Sequence, residues 1–173
     1  MAFLLIMNKK KHFIVILLVL AVKISAQSNF ISKCIGQWQG TMYIYSAGKL
    51  RDSVNVELTV AKTNTLNVWT WKTDYKSEKM PIVKDYKMKL SETKPNCYIT
   101  DEGDGIELEN YLFNNKLYNV FETEGIMLTS SYELLNDKLI FEVTSGKKTS
   151  PDSAQVTNFS VSGLQRVIFS RIR

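Results

Sequence analysis

The chain has 173 residues, of which 45% are hydrophobic, 23% are charged and 11% are aromatic. That is enough for one domain with its own core and too few for two ordinary domains. The composition excludes a disordered or low-complexity chain, and the two cysteines exclude a disulfide-dense scaffold. The formal net charge of +5 has to be interpreted together with the first residues of the chain.

The first 26 residues have the features of a secretory signal peptide. An unbroken apolar run at residues 13–22 follows the basic cluster Lys9-Lys10-Lys11, and small side chains lead to Ala26. The run is about half the length of a membrane-spanning helix, which argues against a retained anchor. We therefore predict a signal peptide at residues 1–26, a single domain at residues 27–173, and a secreted or periplasmic protein without a stable membrane span after cleavage.

Cleavage after Ala26 changes what the charge implies. It removes four lysines and no acidic residue, which leaves 18 basic against 17 acidic residues and a net charge of +1. No clustered basic face remains, so a nucleic-acid partner is not expected. His12, the only histidine, leaves with the same segment. The predicted mature chain therefore lacks Ser-His-Asp and Cys-His catalysis and any histidine ligand for zinc or haem.

Hydrophobic residues after residue 30 alternate with a period of two, the pattern of half-buried strands. Val54, Val56, Leu58 and Val60 alternate with polar residues, and no convincing amphipathic helix with caps is found. The same alternation recurs in five further segments, around residues 86–90, 106–112, 126–128, 139–143 and 164–172.

Short turns separate these strands and predict an antiparallel order. Gly48, Asn115 and Asp137 each precede a lysine and then a leucine that re-enters the core. Sequential neighbours are then antiparallel, and the chain is an all-β, up-and-down meander of about eight to ten strands. A meander of this length removes its edges by closing into a barrel, while a two-sheet sandwich remains the alternative. Residues 146–163 are expected to form one long polar loop.

The start and the end of the predicted domain carry a family resemblance. Gly36, Trp38 and Gly40 form a G-x-W-x-G sequence on the first strand, and the last strand carries Arg166, Arg171 and Arg173. This resembles the calycin superfamily of lipocalin, fatty-acid-binding and nitrobindin-type barrels. The resemblance implies that Trp38 closes the barrel bottom against a basic residue near the end of the chain. We assign structural roles to Trp38, Gly36, Gly40 and Arg171, and we expect the opposite end of the barrel to be open.

This sequence departs from the family pattern in two places, and these departures indicate which kind of calycin barrel it resembles most. Residues 46–53 form a tight hairpin where fatty-acid-binding proteins insert two helices, and the sequence shows no helix after the last strand, where lipocalins add one. The lidless ten-stranded nitrobindin-like barrels match this layout best. Those barrels bind haem through a histidine, which the predicted mature chain lacks. The resemblance therefore implies the barrel without the cofactor, and no cofactor is expected.

Aromatic residues at alternating positions are the candidates for a ligand site. Large aromatic side chains on one barrel face either fill a core or line a pocket, and their N–H and O–H groups need partners. Arg166 could hold a ligand carboxylate or cover Trp38. The predicted function is a non-enzymatic barrel that binds a small apolar or amphipathic molecule through Trp69, Trp71, Tyr75, Tyr86, Tyr118, Tyr132 and Arg166.

Other functions remain open at this point. A packed barrel could serve as a structural or protein-interaction module, with Tyr43 and Tyr45 on its outer face. Charges on most strands argue against a transmembrane barrel. The pairs Glu107/Glu109 and Glu122/Glu124 permit paired-carboxylate hydrolysis only formally, since the acids occupy the solvent side of their strands.

An acidic turn and two cysteines complete the candidates. Asp101, Glu102, Asp104 and Glu107 surround a glycine-rich turn, but their spacing is not that of an EF-hand, so no metal site is assigned. Cys34 and Cys97 are either a disulfide, which export would allow, or two buried thiols on different strands.

Overall fold

The computed structural model describes residues 30–151, 153 and 155–172. The predicted signal peptide at residues 1–26 lies outside the described residues, as does Arg173. A one-turn helix, α1, comprises Phe30–Cys34 and precedes ten strands. The strands are β1 Gly36–Ser46, β2 Lys49–Lys62, β3 Val68–Lys76, β4 Ile82–Leu90, β5 Cys97–Gly103, β6 Ile106–Phe113, β7 Lys116–Thr123, β8 Ile126–Leu135, β9 Lys138–Lys148 and β10 Phe159–Arg171.

Each strand pairs antiparallel with the next in sequence, and β1 pairs with β10 to close the barrel. The predicted all-β meander is thereby confirmed, and the sandwich alternative is wrong. Of the turns, Asp104-Gly105 and Glu124-Gly125 have positive φ at both central residues, as two-residue hairpin loops require. Among the described residues, no helix is long and apolar enough to span a bilayer.

The alternation fills the barrel interior from one face of each strand. Fully buried side chains come from β1, β2, β3, β4, β7, β9 and β10, and the largest are Trp38, Trp71, Phe169, Met42, Leu58, Met88, Leu117 and Leu139. Burying each such side chain contributes about 1.5–3 kcal/mol relative to leaving it in water.

The prediction of one long polar loop at residues 146–163 is wrong, because β9 continues to Lys148 and β10 begins at Phe159. Gly146 and Gly163, at the two ends of that predicted loop, lie inside β9 and β10 at places where neighbouring atoms come close to the backbone. A Cβ on Gly146 would lie 2.6 Å from the Ser160 carbonyl oxygen, and one on Gly163 would lie 2.2 Å from the Ser145 hydroxyl oxygen. These glycines make room for neighbouring atoms and do not mark turns.

Candidate functional site

A cavity of about 180 Å³ lies in the barrel, toward the end where β3 reaches Lys76 and β5 reaches Gly103. Trp38 lies near the start of β1, where it pairs with Leu58 and Arg171, and it does not line the cavity. Side chains from eight strands line it, since each strand turns alternate residues inward. The lining residues are Trp71, Thr73, Tyr75, Lys84, Tyr86, Thr100, Glu102, Leu108, Asn110, Asn119, Phe121, Leu128, Ser130, Tyr132, Phe141, Val143 and Gln165.

Aromatic rings cover one side of this cavity. The Trp71 and Tyr132 rings meet edge to face with centroids 4.9 Å apart, and Tyr132 stacks on Phe141 at 4.3 Å. Both arrangements are ones that aromatic quadrupoles favour. Tyr75 and Tyr86 extend this aromatic wall toward the rim. Burial raises the pKa of Tyr132, so its hydroxyl remains protonated and polar at neutral pH.

Two asparagines contribute polar groups to the cavity lining. Asn110 Nδ2 donates to the Tyr98 and Leu108 carbonyls and to Thr100 Oγ1, at 2.8–3.3 Å. Asn119 Nδ2 donates to the Glu109 carbonyl at 2.6 Å, while no described residue forms a hydrogen bond with its buried Oδ1. The buried Trp71 Nε1 atom likewise forms no hydrogen bond of normal geometry within the described part of the chain, although the Trp71 side chain lies close enough to the Tyr132 hydroxyl to affect the pKa of that group. Unpaired buried polar atoms are rare in native interiors, and both residues line this cavity.

Asn119 lies beside the part of the barrel wall where β6 and β7 are joined by few backbone pairs, which we call the β6–β7 seam. Register pairs between β6 and β7 are confined to residues 111–113 and 116–118. Asn119 reaches across the seam just beyond the last pair, to the carbonyl of Glu109. Side-chain hydrogen bonds therefore replace part of the backbone ladder on this wall.

The rim of the cavity carries charge. Glu102 accepts a 3.0 Å hydrogen bond from the Tyr86 hydroxyl, and the Lys84 ammonium lies 5.4 Å from the centre of the Tyr86 ring. Burial first, and then the Glu102 carboxylate, raise the pKa values of Tyr75 and Tyr86. Both phenols are therefore neutral at physiological pH, and Tyr86 acts as a donor to Glu102.

The other end of the interior is packed and satisfied. Trp38 is fully buried, its indole N–H donates to the Cys34 carbonyl at 2.7 Å, and the Arg171 guanidinium lies 4.1 Å from its ring centre. Arg171 also donates to the Ile35 carbonyl. A Cβ on Gly40 would lie 2.7 Å from the Ile168 carbonyl oxygen, so only glycine lets β1 approach β10 this closely.

The structure brings four of the seven proposed ligand residues together. Trp71, Tyr75, Tyr86 and Tyr132 line the cavity. Trp69 shares their face of the barrel but packs on Tyr98, with ring centroids 6.5 Å apart, outside the cavity lining.

Two of the proposed ligand residues are corrected. Tyr118 is 46% exposed and contacts Phe113 and Lys116 on the outer face, because β7 turns Leu117 and Asn119 inward. Arg166 pairs with Glu142 at 3.2 Å on the outer face, because Gln165, Val167 and Phe169 are the inward residues of β10.

The proposed disulfide is also corrected: Cys34 and Cys97 are both free and buried. Strand β5 turns Tyr98, Thr100 and Glu102 inward, so Cys97 faces the opposite side, near Glu109 and Lys94. It is Tyr98 that lies close enough to Cys34 for the two to interact electrostatically. Burial raises the pKa of the Cys34 thiol to about 12, which leaves it unreactive at neutral pH.

The acidic side chains of the predicted turn lie on two different faces of the barrel wall. Asp101 pairs with Lys89 at 2.7 Å and Glu107 pairs with the same lysine at 2.9 Å, both on the outer face. Glu102, between them in sequence, points into the cavity. In the part of the chain that the structure describes, no three His, Cys, Asp or Glu side chains come together as a possible metal site.

Sequence reasoning missed most polar residues of the cavity. Glu102 was assigned to a solvated turn, and Asn110, Asn119 and Lys84 lie in strands whose apolar neighbours dominated the pattern. The alternation itself contains the signal, since Glu102 lies two residues from Thr100 and Asn110 two from Leu108. Deciding which face of each strand is the inner one would have identified them.

No family model matches this chain, and no curated protein matches it in sequence. Solved structures do resemble it in fold. The S-type phycobiliprotein lyase CPES from Guillardia theta superposes with a TM-score of 0.59 at 9% identity, covering 84% of this chain and 92% of that one. Protein Rv2717c from M. tuberculosis gives a TM-score of 0.51 at 13% identity, covering 83% of this chain and 95% of that one.

A third similar structure is a protein of unknown function from the DUF3598 family of Nostoc punctiforme. It superposes with a TM-score of 0.57 at 14% identity over 82% of this chain, and this chain spans about half of its length, 49%. At such identities the likeness concerns the fold alone. The closed antiparallel barrel expected from the meander is thereby confirmed as the fold of this chain.

Proposed function

We propose that this protein is an exported, non-enzymatic barrel that binds a small amphipathic molecule in the cavity lined by Trp71, Tyr86 and Tyr132. The observation that carries the proposal is the cavity itself. A barrel with a purely structural role would be packed along its whole interior, as it is around Trp38. Here a recessed volume inside the barrel is lined by both aromatic and polar side chains, which is the usual character of a ligand site.

The volume supports a ligand of limited size. An apolar cavity of about 150 Å³ accommodates one benzene ring. A cavity of about 180 Å³ therefore suits one ring with short substituents, and a long acyl chain would extend out of the barrel. The unpaired Trp71 Nε1 and Asn119 Oδ1 favour a guest with polar atoms, because hydrogen bonds to either atom would remove a desolvation cost.

The lining favours binding over catalysis. Among the described lining residues Glu102 is the one carboxylate, and it is hydrogen-bonded to Tyr86; no histidine or cysteine lines the cavity. General acid–base or nucleophilic chemistry needs a paired set of such groups. The Guillardia theta neighbour is named a lyase, but at 9% identity its activity does not transfer to this chain.

Export rests on residues 1–26. The basic cluster, the short apolar run and Ala26 together support cleavage before Gln27. Mass spectrometry of the protein recovered from the extracellular or periplasmic fraction should find Gln27 at the N-terminus. An intact Met1 or Met7 in a membrane fraction would contradict the proposal.

The binding function is tested by filling the cavity. Ser130 lines it, whereas the adjacent Ser131 alternates to the outer face of β8. Ser130→Leu and Ser131→Leu therefore add the same side chain inside and outside the barrel. With 2-phenylethanol as probe, calorimetry and tryptophan fluorescence should show saturable binding to the natural protein and to Ser131→Leu. Ser130→Leu should weaken that binding at least about tenfold, since the added atoms occupy the ring position.

Two results would contradict this function. One is the absence of saturable binding for 2-phenylethanol and for longer amphiphiles such as dodecanol. The other is equal affinity in both serine variants, which would place the bound probe outside the cavity.

A further inference from the structure

The cavity rim carries one ammonium and one carboxylate that do not pair with each other. Lys84 on β4 and Glu102 on β5 both line the cavity, yet no ion pair within 4.0 Å joins them, and neither meets another opposite charge among the described residues. The Tyr86 side chain separates them: its ring lies under Lys84 and its hydroxyl donates to Glu102.

The outer face of the same two strands is different. Lys89 of β4 contacts Asp101 at 2.7 Å and Glu107 at 2.9 Å, so charges that face solvent are neutralised there. Solvent-exposed pairs of this kind contribute little to stability. Among the described residues, Lys84 and Glu102 at the rim, beside Tyr75 and Tyr86, have no such partner.

The surroundings of each charge indicate what could meet it. Lys84 already holds an ammonium 5.4 Å from the Tyr86 ring centre, which shows that a cation fits over this ring. Glu102 has carboxylate acceptor positions beyond the one used by the Tyr86 hydroxyl. Lys84 is exposed and flexible, so its three donors can turn toward an incoming carboxylate.

Resting on the proposed binding function, we infer that the ligand is a zwitterion with a single apolar ring, the class of the aromatic α-amino acids and their close analogues. The ring occupies the cavity against the aromatic wall of Trp71 and Tyr132. The ammonium group contacts Glu102, and the carboxylate contacts Lys84. A ligand with only one charge leaves either Glu102 or Lys84 without a partner, and a neutral ligand leaves both.

Four probes with the same ring test this inference. L-phenylalanine carries both charges, 2-phenylethylamine the ammonium alone, 3-phenylpropionate the carboxylate alone, and 2-phenylethanol neither. Measured by calorimetry at pH 7 and low salt, phenylalanine should bind about tenfold or more tightly than each singly charged probe, as one additional charge-assisted hydrogen bond implies.

Variants assign each charge to its partner. Glu102→Gln should weaken phenylalanine and 2-phenylethylamine about tenfold and leave 3-phenylpropionate within about twofold. Lys84→Gln should do the reverse, weakening the two carboxylates and sparing the amine. Lys87→Gln on β4 and Glu107→Gln on the adjacent β6 remove charges on the outer face of the barrel and serve as matched controls, for which all four affinities should be unchanged.

The outcomes separate the two proposals. If 2-phenylethanol binds in the Ser130-dependent manner described above and phenylalanine binds no more tightly than 2-phenylethanol, the zwitterion inference is wrong and the binding function stands. The inference is also wrong if Glu102→Gln and Lys84→Gln weaken all four probes equally. If none of the four probes binds, the zwitterion inference fails, and the binding of dodecanol then decides whether the binding function stands.

Discussion

Two tryptophans are buried in different parts of this barrel, and they differ in the surroundings of the indole ring and its N–H group. Trp38 and Trp71 are 0% and 1% exposed, and both lie on inward faces of strands. The Trp38 N–H is bonded to the Cys34 carbonyl and its ring is covered by Arg171, whereas the Trp71 N–H forms no hydrogen bond of normal geometry with any described residue and its side chain borders a cavity. Burial alone does not distinguish these two tryptophans, but the bonding of the indole N–H does.

The largest effect expected from this comparison is the loss of Trp38. Trp38→Ala removes a fully buried ring together with its hydrogen bond and its contact with Arg171. The free energy of unfolding should fall by about 3–5 kcal/mol, as for other large aromatic deletions in cores. Urea denaturation followed by circular dichroism measures this. A loss below about 1 kcal/mol would show that the Trp38 end is not the packed end.

The second effect is a dependence on alkaline pH that belongs to the packed end. Burial raises the pKa of Cys34 from 9.0 to about 12, although Arg171 acts in the opposite direction. The unfolded chain therefore ionises this thiol first. The stabilisation is complete below about pH 9 and declines between pH 9 and 12, by about 1.4 kcal/mol per pH unit at most.

Cys34→Ala isolates that contribution. The backbone carbonyl that accepts the Trp38 hydrogen bond is retained in this variant. Buried tyrosines such as Tyr86 also have raised pKa values, so both proteins should lose stability at high pH. The natural protein should lose it more steeply than the variant in denaturation curves at pH 8, 9.5 and 10.5. Identical slopes would contradict the burial of the thiol.

The predictions made from sequence alone are confirmed where hydrophobic residues alternate with polar ones, so that a strand has a single apolar face. The strands, their antiparallel order and the shared face of Trp71 and Tyr75 follow from a period of two with short turns. The inner face of β10 did not follow, because Leu164 and Ile168 are apolar and yet lie on the outer face, where Ile168 is 46% exposed. With hydrophobic residues on both faces, the phase of a strand is set by its register with its neighbours, which sequence does not show.

Cavity residues are harder to predict for a related reason. Asn110 and Asn119 are polar and nearly fully buried, against the usual preference of asparagine for the surface. Their burial is tolerated because their side-chain amides donate to backbone carbonyls, including one at the β6–β7 seam. Those bonds depend on where β6 and β7 stop pairing, which is a property of the closed barrel.

A smaller effect separates the two tryptophans directly. Trp38→Phe and Trp71→Phe remove the same atoms, but only the first leaves a buried carbonyl without its donor. Trp38→Phe should therefore cost about 1–2 kcal/mol more in unfolding free energy than Trp71→Phe. The binding of 2-phenylethanol should show the opposite order, with the larger change for Trp71→Phe, because Trp71 lines the cavity. Equal values in both assays would remove the distinction between the two ends.

The smallest effect concerns the outer wall, where Tyr118 tests how strictly function is confined to the interior. Tyr118 is 46% exposed and contacts Phe113 and Lys116, while Tyr132 across the wall lines the cavity. Tyr118→Ser should change the unfolding free energy by no more than about 0.5 kcal/mol, as exposed substitutions usually do. It should also leave the affinity for 2-phenylethanol unchanged, whereas Tyr132→Ser should weaken it, since Tyr132 forms part of the aromatic wall. A loss of affinity in Tyr118→Ser that matches the loss in Tyr132→Ser would mean that the wall between them rearranges on binding, most readily at the weakly paired seam of β6 and β7.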